Sequence, residues 1–217
     1  MATKSKTRRP LTRERVLEAA IRLADESGIE SLSMRKLGQE LGVEAMSLYN
    51  HVKNKDEVLD GIVEAVVREV ELPSDETDWK AALRRHAISS HEALMRHSWA
   101  AGLWWRRAEG PDRMRGAEFM LRTLREAGFS EDLTYHGYHV LVGHILGFTL
   151  QAQSFPIETK EELQKLAAEF LQDFPAAEYP YLAEHIRQHV DPGDSDEGAF
   201  AFGLDLILDG LERMRDA

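Results

Sequence analysis

Apolar residues recur along this chain at three- and four-residue spacing almost from end to end and rarely alternate, a pattern that predicts helices and not strands. Thr12 is placed to cap a first helix on which Val16, Ala20, Leu23 and Ala24 share a face; it runs to about Ser27, and Gly28 ends it. Ser33 caps a second helix over 34–41, where Leu37 and Leu41 lie one turn apart and Gly42 supplies the left-handed position that closes it. A third short helix over 44–50 follows at once. Val43 and Leu48 anchor it, which leaves Ala45, Met46, Ser47, Tyr49 and Asn50 facing outwards. Two short helices joined so tightly form a helix-turn-helix, whose second member can lie in a DNA major groove. Asn54 with Glu57 three residues on has the form of a capping box for a longer helix carrying Leu59, Ile62, Val63, Val66 and Val70, to about residue 71.

Proline, serine and acid then break the periodicity at L-P-S-D-E-T-D, and the domain boundary is placed there, over 72–78. Beyond it helical patterns cover 79–97, 99–107, 112–127, 131–153, 160–174, 177–190 and 197–215, separated by turn signals such as E-G-P-D, A-G-F-S and D-P-G-D. The expected fold is all-α: an N-terminal helix-turn-helix head over 1–71, led by an arm over 1–11, and a helical domain over 79–217.

Composition adds two constraints. The chain has no cysteine, which excludes disulfides, thiolate metal sites and cysteine nucleophiles. Its 217 residues carry a formal charge of −11, a poor balance for contact with a polyanion, but the charge is unevenly spread. Residues 1–55 hold 11 Lys/Arg against 7 Asp/Glu, whereas 56–217 hold 16 against 31. A basic head that meets DNA and an acidic body held off it are expected. Lys4, Lys6, Arg8 and Arg9 give the arm phosphates or an adjacent minor groove to reach. The N-terminus has no apolar core of a secretory signal and no apolar run approaches a membrane span, so cytoplasmic residence is expected, with no membrane partner.

The stretch G-I-E-S-L-S-M-R-K-L-G-Q-E-L-G-V-E-A-M-S-L-Y-N-H-V-K-N-K over 28–55 resembles the DNA-binding domain of the tetracycline-repressor (TetR) family, most specifically in its L-Y-x-H-V-K-N-K ending. W-K-A-A-L-R-R-H at 79–86, V-G-H at 142–144 and F-G-L-D-L-I-L-D-G-L-E at 202–212 are similar to the C-terminal domain of that family's tetracycline-binding subgroup. The resemblance implies a transcriptional regulator, most simply a repressor released from a palindromic operator when a small hydrophobic or aromatic molecule binds the C-terminal domain. The alternative is an effector-independent dimeric architectural protein. For the head, the resemblance matches Arg35 to a base-reading position, where arginine suits the O6/N7 edge of guanine. Ser33 and Met34 begin that helix, where a hydroxyl and exposed amides hold a phosphate. Glu44 opens the recognition helix; Ala45, Met46 and Ser47 take its base-facing positions, the apolar pair suiting thymine methyls. Tyr49, His51 and Lys55 match phosphate contacts, and Asn50 stands where some relatives carry an aromatic residue.

For the C-terminal domain, the resemblance implies an effector cavity and a four-helix interface between two copies. Candidate lining residues are His86, Ser90, Trp104, Trp105, Phe119, Met120, His136, His139, His144, Phe148 and Gln151. Glycine stripes with apolar flanks mark the interface: Gly143, Leu146, Gly147 and Leu150 on one helix, Gly203, Leu206, Ile207 and Gly210 on the last. The tetracycline-binding members carry a metal-ligating histidine in H-L-G-T-R-P, but the corresponding stretch here reads G-L-W-W-R-R-A-E-G-P, and L-Q-A-Q at 150–153 replaces the acidic stretch that follows V-G-H. A magnesium–tetracycline effector is therefore not expected; two tryptophans suggest a flatter or more hydrophobic one, with Arg106 or Arg107 available to an anionic group on it. His136 and His139 at i, i+3 lack a carboxylate at matching spacing, so no metal or cofactor is expected. The chain contains no G-x-S-x-G, phosphate loop, H-E-x-x-H or G-x-G-x-x-G, and an enzyme is not expected.

Overall fold

Side-chain caps set the helix boundaries in the N-terminal head. In the computed structural model, which describes residues 10–73, 78–104, 106–107, 110–154, 159–190 and 198–217, α1 (Arg13–Ser27) starts where Thr12 Oγ1 accepts from the amide of Arg15 at 3.3 Å. Gly28, at φ 75°, ends it, and a 3-10 turn, Ile29–Ser31, follows. α2 (Met34–Leu41) starts where Ser33 Oγ accepts from the Lys36 amide at 3.2 Å, and stops at Gly42 in the left-handed conformation, φ 65° and ψ 37°. α3 (Ala45–Leu48) is the recognition helix. α4 (Lys55–Arg68) is capped by Asn54, whose Oδ1 accepts from the Glu57 amide at 2.8 Å while Glu57 Oε2 reaches back to the Lys53 amide at 2.7 Å. Its N-terminal capping box and the stripe of Leu59, Ile62, Val63 and Val66 agree with the sequence reading.

Two helix boundaries in the head differ, and one turn was not expected. The regular part of α3 is shorter than 44–50; residues 49–52 continue it as tightening turns, with the amides of His51 and Val52 both donating to the Leu48 carbonyl. α4 ends at Arg68, so Val70 is buried from an irregular segment and not from a helix. The 3-10 turn was not expected, because three residues are too short for periodicity to register.

The second domain holds α5 (Trp79–Arg96), α6 (Ser98–Leu103), α7 (Pro111–Glu126), α8 (Glu131–Ser154), α9 (Lys160–Gln172), α10 (Pro180–Val190) and α11 (Ala199–Arg215). The proposed boundary and the arm fall partly on 1–9 and 74–77, outside the described residues. α5, α8 and α11 pack on one another around Leu83, Leu94, Leu141, Leu204 and Leu208, all at most 1% exposed. α7 lies across α4, α5 and α8, and α9 and α10 pack mainly on each other. Burying a leucine of this kind is worth about 1.5–3 kcal/mol.

The head closes around Val16, Leu37, Leu48 and Ile62, all fully buried. Its tightest crossing is at Gly38. A β-carbon there would lie 2.9 Å from the Val43 carbonyl oxygen and 3.2 Å from the Ala45 nitrogen, both backbone atoms with no rotamer to yield. Only glycine lets α2 pass this close to the turn that aims α3. Gly38→Ala is expected to cost about 1–3 kcal/mol of stability and to weaken operator binding; thermal melting and a DNA titration check this, and an unchanged variant in both would contradict the crossing.

Candidate nucleic-acid interface and effector cavity

The exposed face of the head is built by two helix starts and one turn. Arg35 and Lys36 project from the first turn of α2, while Ser33 is committed through its oxygen to the cap and keeps its hydroxyl hydrogen to donate. Met34 is half-buried against the core, so of this residue only the backbone amide suits a phosphate. On α3, Met46 is 74% exposed, flanked by half-buried Ala45 and Ser47, with Glu44 exposed at the N-cap position. Tyr49, Asn50 and Lys55 are exposed beside it and His51 is half-buried. Of the eleven candidates, Arg35, Glu44, Met46, Tyr49, Asn50 and Lys55 are exposed and the other five half-buried, while Leu48 and Val52 turn inwards.

A second feature is a cavity of about 690 Å³, mouth included, between the head's last helix and the second domain. α4 contributes Val67 and Arg68, and α5 contributes His86 and Ser90. Trp104 closes one side, and α7 supplies Asp112, Arg113, Arg115, Gly116 and Met120. Tyr138, Val142, Ile145 and Leu146 of α8 form the floor. Its largely apolar lining with a few polar groups is that of a small-molecule site.

The polar groups in the lining are held in defined states. His86 is buried at 6% exposure, and its Nδ1–H donates to the Glu71 carbonyl at 2.8 Å. Burial lowers its pKa below the ordinary histidine value, against the hydrogen bond that raises it, so His86 is neutral at neutral pH. Burial raises the pKa of Asp112, but the Arg68 guanidinium at 2.8 Å and the Arg115 guanidinium in contact outweigh it and hold the carboxyl below the usual range. Arg113 lays its guanidinium over the Trp104 ring, 4.7 Å from the centroid; burial lowers its pKa, and Tyr138 and Glu64 oppose that shift.

Asp112 in the cavity wall, and several residues outside the lining, join the head to the second domain. Glu64 of α4 accepts from the Asp112 amide at 2.8 Å and so caps α7. Arg107, between α6 and α7, donates to Asp60 at 2.6 Å and to Asp56 at 2.7 Å, both on α4. Trp99 Nε1 and His97 Nδ1 meet Asp25 of α1 at 2.7 Å and 2.9 Å.

Residues 16–62 match the family model for bacterial regulatory proteins of the tetR family, and residues 72–215 match that for the tetracyclin repressor-like C-terminal domain. The chain belongs to the TetR family. Among its relatives, the transcriptional repressor DrrR1 of Streptomyces coeruleorubidus is 35% identical over 213 residues, covering 93% of this chain and 77% of that protein. The class D tetracycline repressor protein of Escherichia coli is 36% identical over 208 residues, covering 93% and 89%. Among solved structures, the Streptomyces coelicolor TetR family protein ActR in complex with actinorhodin superposes with a TM-score of 0.78 at 29% identity, over 96% of this chain and all of that one.

Within this TetR-family chain, the sequence-predicted cavity residues divide. His86, Ser90, Trp104 and Met120 line the cavity. Phe119 stands behind it, its ring 5.1 Å from that of His86, and Trp105 lies outside the described residues. His136, His139 and Gln151 are instead exposed on α8, His136 beside Asp132 and His139 bonded to the Tyr135 carbonyl. His144 and Phe148 belong to a separate aromatic stack with His91 and Phe200, in which His144 Nε2 donates to the Phe200 carbonyl at 2.9 Å. The α8 face that meets the cavity is the one carrying Tyr138, Val142 and Ile145, about a third of a turn from the histidines. Arg106 is exposed outside the lining, and Arg107 grips α4 rather than the cavity. Arg113, Arg115 and Arg68 were missed because each reads as a solvated charge on its own helix; only the packing of α7 on α4 turns them towards one space.

The interface candidates divide likewise. Gly143, Gly147 and Gly210 face open space, and Leu150 and Leu206 are 43% and 56% exposed. Leu146, however, is buried in the cavity floor, Ile207 packs half-buried on the core, and Gly203 admits His144 of its own subunit, since a β-carbon there would stand 2.7 Å from that ring. With Tyr135, Val140, Phe202 and Met214, all at least 49% exposed, the outward residues form an apolar face on α8 and α11.

Two measurements check this site. Because His86 in the folded protein has a pKa below its unfolded value, the unfolded chain takes up a proton first as pH falls, so stability is lost below about pH 6.5. Wild-type protein should therefore lose more melting temperature between pH 7.5 and 5.5 than His86→Gln does. In DNA titrations, Lys55→Ala should weaken all sequences alike and flatten the salt slope by about one unit, whereas Arg35→Ala should relax sequence preference. Identical behaviour of the two would dissolve that division of labour.

Proposed function

We propose that this protein is a ligand-responsive transcriptional repressor that binds a palindromic operator as a homodimer and leaves it when a small hydrophobic or aromatic molecule fills the cavity. Membership of the TetR family makes it a DNA-binding regulator and not an enzyme. The observation that carries the switch is that one stretch of chain serves both sites: Trp104 and Arg113 line the cavity, while Arg107 between them holds Asp56 and Asp60 of α4, which packs on α1 of the head. A ligand that binds more tightly to a displaced arrangement of this stretch shifts the head by the difference in its affinities for the two states. The similarity to the ActR complex with actinorhodin supports a site that accepts aromatic ligands.

Residues 1–71 serve as the DNA-binding unit in this reading, 72–78 as its linker, and 79–217 as the effector and dimerisation unit. One head reads too little sequence to select an operator, and two must stand about 34 Å apart to meet successive major grooves. The apolar face of Val140, Leu150, Phe202, Leu206 and Met214 supports dimerisation through α8 and α11, because a monomer gains nothing by exposing it. Among the described residues no helix is long and apolar enough to cross a membrane, and the reading places the protein in the cytoplasm with its DNA. The alternative of an effector-independent architectural protein has no use for a cavity with three arginines at its wall.

Arg107 is the test. Its ion pairs are partly exposed, worth only about 0.2–1 kcal/mol each, so Arg107→Gln should fold and bind operator within a few-fold of wild type. Its effector response should fall: more ligand should be needed to release the same DNA, at unchanged ligand affinity for the DNA-free protein. An unaltered release curve would remove this link from the mechanism.

A further inference from the structure

His86 meets the cavity with one ring nitrogen committed and the other idle. Nδ1 lies 2.8 Å from the Glu71 carbonyl, an oxygen with no hydrogen to give, so Nδ1 carries the hydrogen. Nε2, across the ring, then holds a lone pair. It has no partner among the described residues and is not sealed off; with His86 only 6% exposed and part of the lining, its opening is the cavity. The other tautomer is blocked, because it would set an Nδ1 lone pair against the Glu71 carbonyl. A second proton is opposed by burial, which lowers the pKa of this ring. Phe119, its ring 5.1 Å from that of His86, packs beside the imidazole and offers no donor. One turn along α5, Ser90 Oγ gives its hydrogen to the His86 carbonyl at 2.7 Å and adds lone pairs to the same lining. The serine hydroxyl can rotate, whereas the roles of the two imidazole nitrogens are fixed.

Resting on the reading of this cavity as the effector site, we infer that its ligand is a hydrogen-bond donor: an apolar aromatic molecule whose neutral hydroxyl gives its hydrogen to Nε2 of His86. The rings of such a molecule have Met120, Val142, Ile145 and Leu146 to lie against. The arginines of the wall are engaged elsewhere, Arg68 and Arg115 by Asp112 and Arg113 over the Trp104 ring. A ligand that offers α5 only a carbonyl or a carboxylate sets lone pair against lone pair. One that offers only hydrocarbon shuts water away from Nε2 and returns nothing. Selection therefore comes from the buried acceptor that the wrong ligand leaves unmet, as much as from the bond made by the right one.

The probes are 2-naphthol and 2-methylnaphthalene, in which a methyl group replaces the hydroxyl, titrated into the full-length protein by calorimetry at neutral pH. Wild type should bind 2-naphthol at least about tenfold more tightly, since a site that pairs a hydroxyl rejects the analogue lacking it. His86→Phe keeps a ring beside Phe119 and removes the acceptor. It should erase the preference by weakening 2-naphthol while 2-methylnaphthalene still binds, which also reports that the cavity is folded. A second measurement needs no variant: with isotope-labelled histidines, the His86 Nε2 resonance should be that of a nitrogen without hydrogen, and should move when 2-naphthol binds but not with 2-methylnaphthalene. Should His86→Phe not fold, that resonance decides alone. Equal affinities in wild type, binding of neither probe, a preference that survives His86→Phe, or an Nε2 that already carries a hydrogen would overturn the inference. Release of an operator selected from random DNA is read separately. Preference for 2-naphthol without release would leave the donor requirement standing and remove the switch; release by 2-methylnaphthalene at equal affinity would leave the switch standing and remove the donor requirement.

Discussion

Helix α4 cannot be assigned to one half of the molecule, and most of what the structure can do follows from that. Its apolar stripe, Val58, Leu59, Ile62, Val63 and Val66, is buried partly against α1 in the head and partly against the second domain. Its polar stripe supplies Asp56 and Asp60 to Arg107, Glu64 to the amide that starts α7, and Arg68 to Asp112. Moving α7 therefore means either breaking a helix cap and several charged contacts or carrying α4 along. Carrying it is the less costly course, since packed interiors shift as units and do not deform smoothly.

That constraint accounts for the position of the cavity. It opens where α4, α5, α7 and α8 fail to close on one another, and the Arg68–Asp112 pair in its wall ties α7 to α4. A ligand there meets the joint itself and needs no long relay. The aromatic stack of His91, His144, Phe148 and Phe200 lies elsewhere on α8 and couples α5 to α11 by ring contacts of 4.2–5.8 Å.

How much of this was legible in the sequence depended on whether the signal was local. Thr12, Ser33, Gly42 and Asn54 mark helix ends through atoms a few residues away, so the helix starts of the head could be placed to within a residue. Outward positions on α3 followed from the two anchors, Val43 and Leu48, for the same reason. The cavity depended on which face of α8 turns inwards, and with apolar and aromatic residues on nearly every face of that helix, periodicity could not choose. His136 and His139 went to solvent and Tyr138, between them, went to the cavity. Gly203 shows the same limit: a small residue at a helix crossing signals close approach but not the identity of what approaches, here His144 of the same subunit.

The division of charge along the chain also bears on how such molecules share DNA. Each dimer in this arrangement presents its basic surface to the duplex and carries two strongly acidic bodies above it. On adjoining sites spaced closely enough to bring those bodies within the roughly 8 Å over which physiological salt leaves charges uncancelled, two dimers would repel. Occupancy of neighbouring sites is thereby discouraged by the same surface that keeps the body off the phosphates, which favours isolated complexes over continuous coating of the promoter.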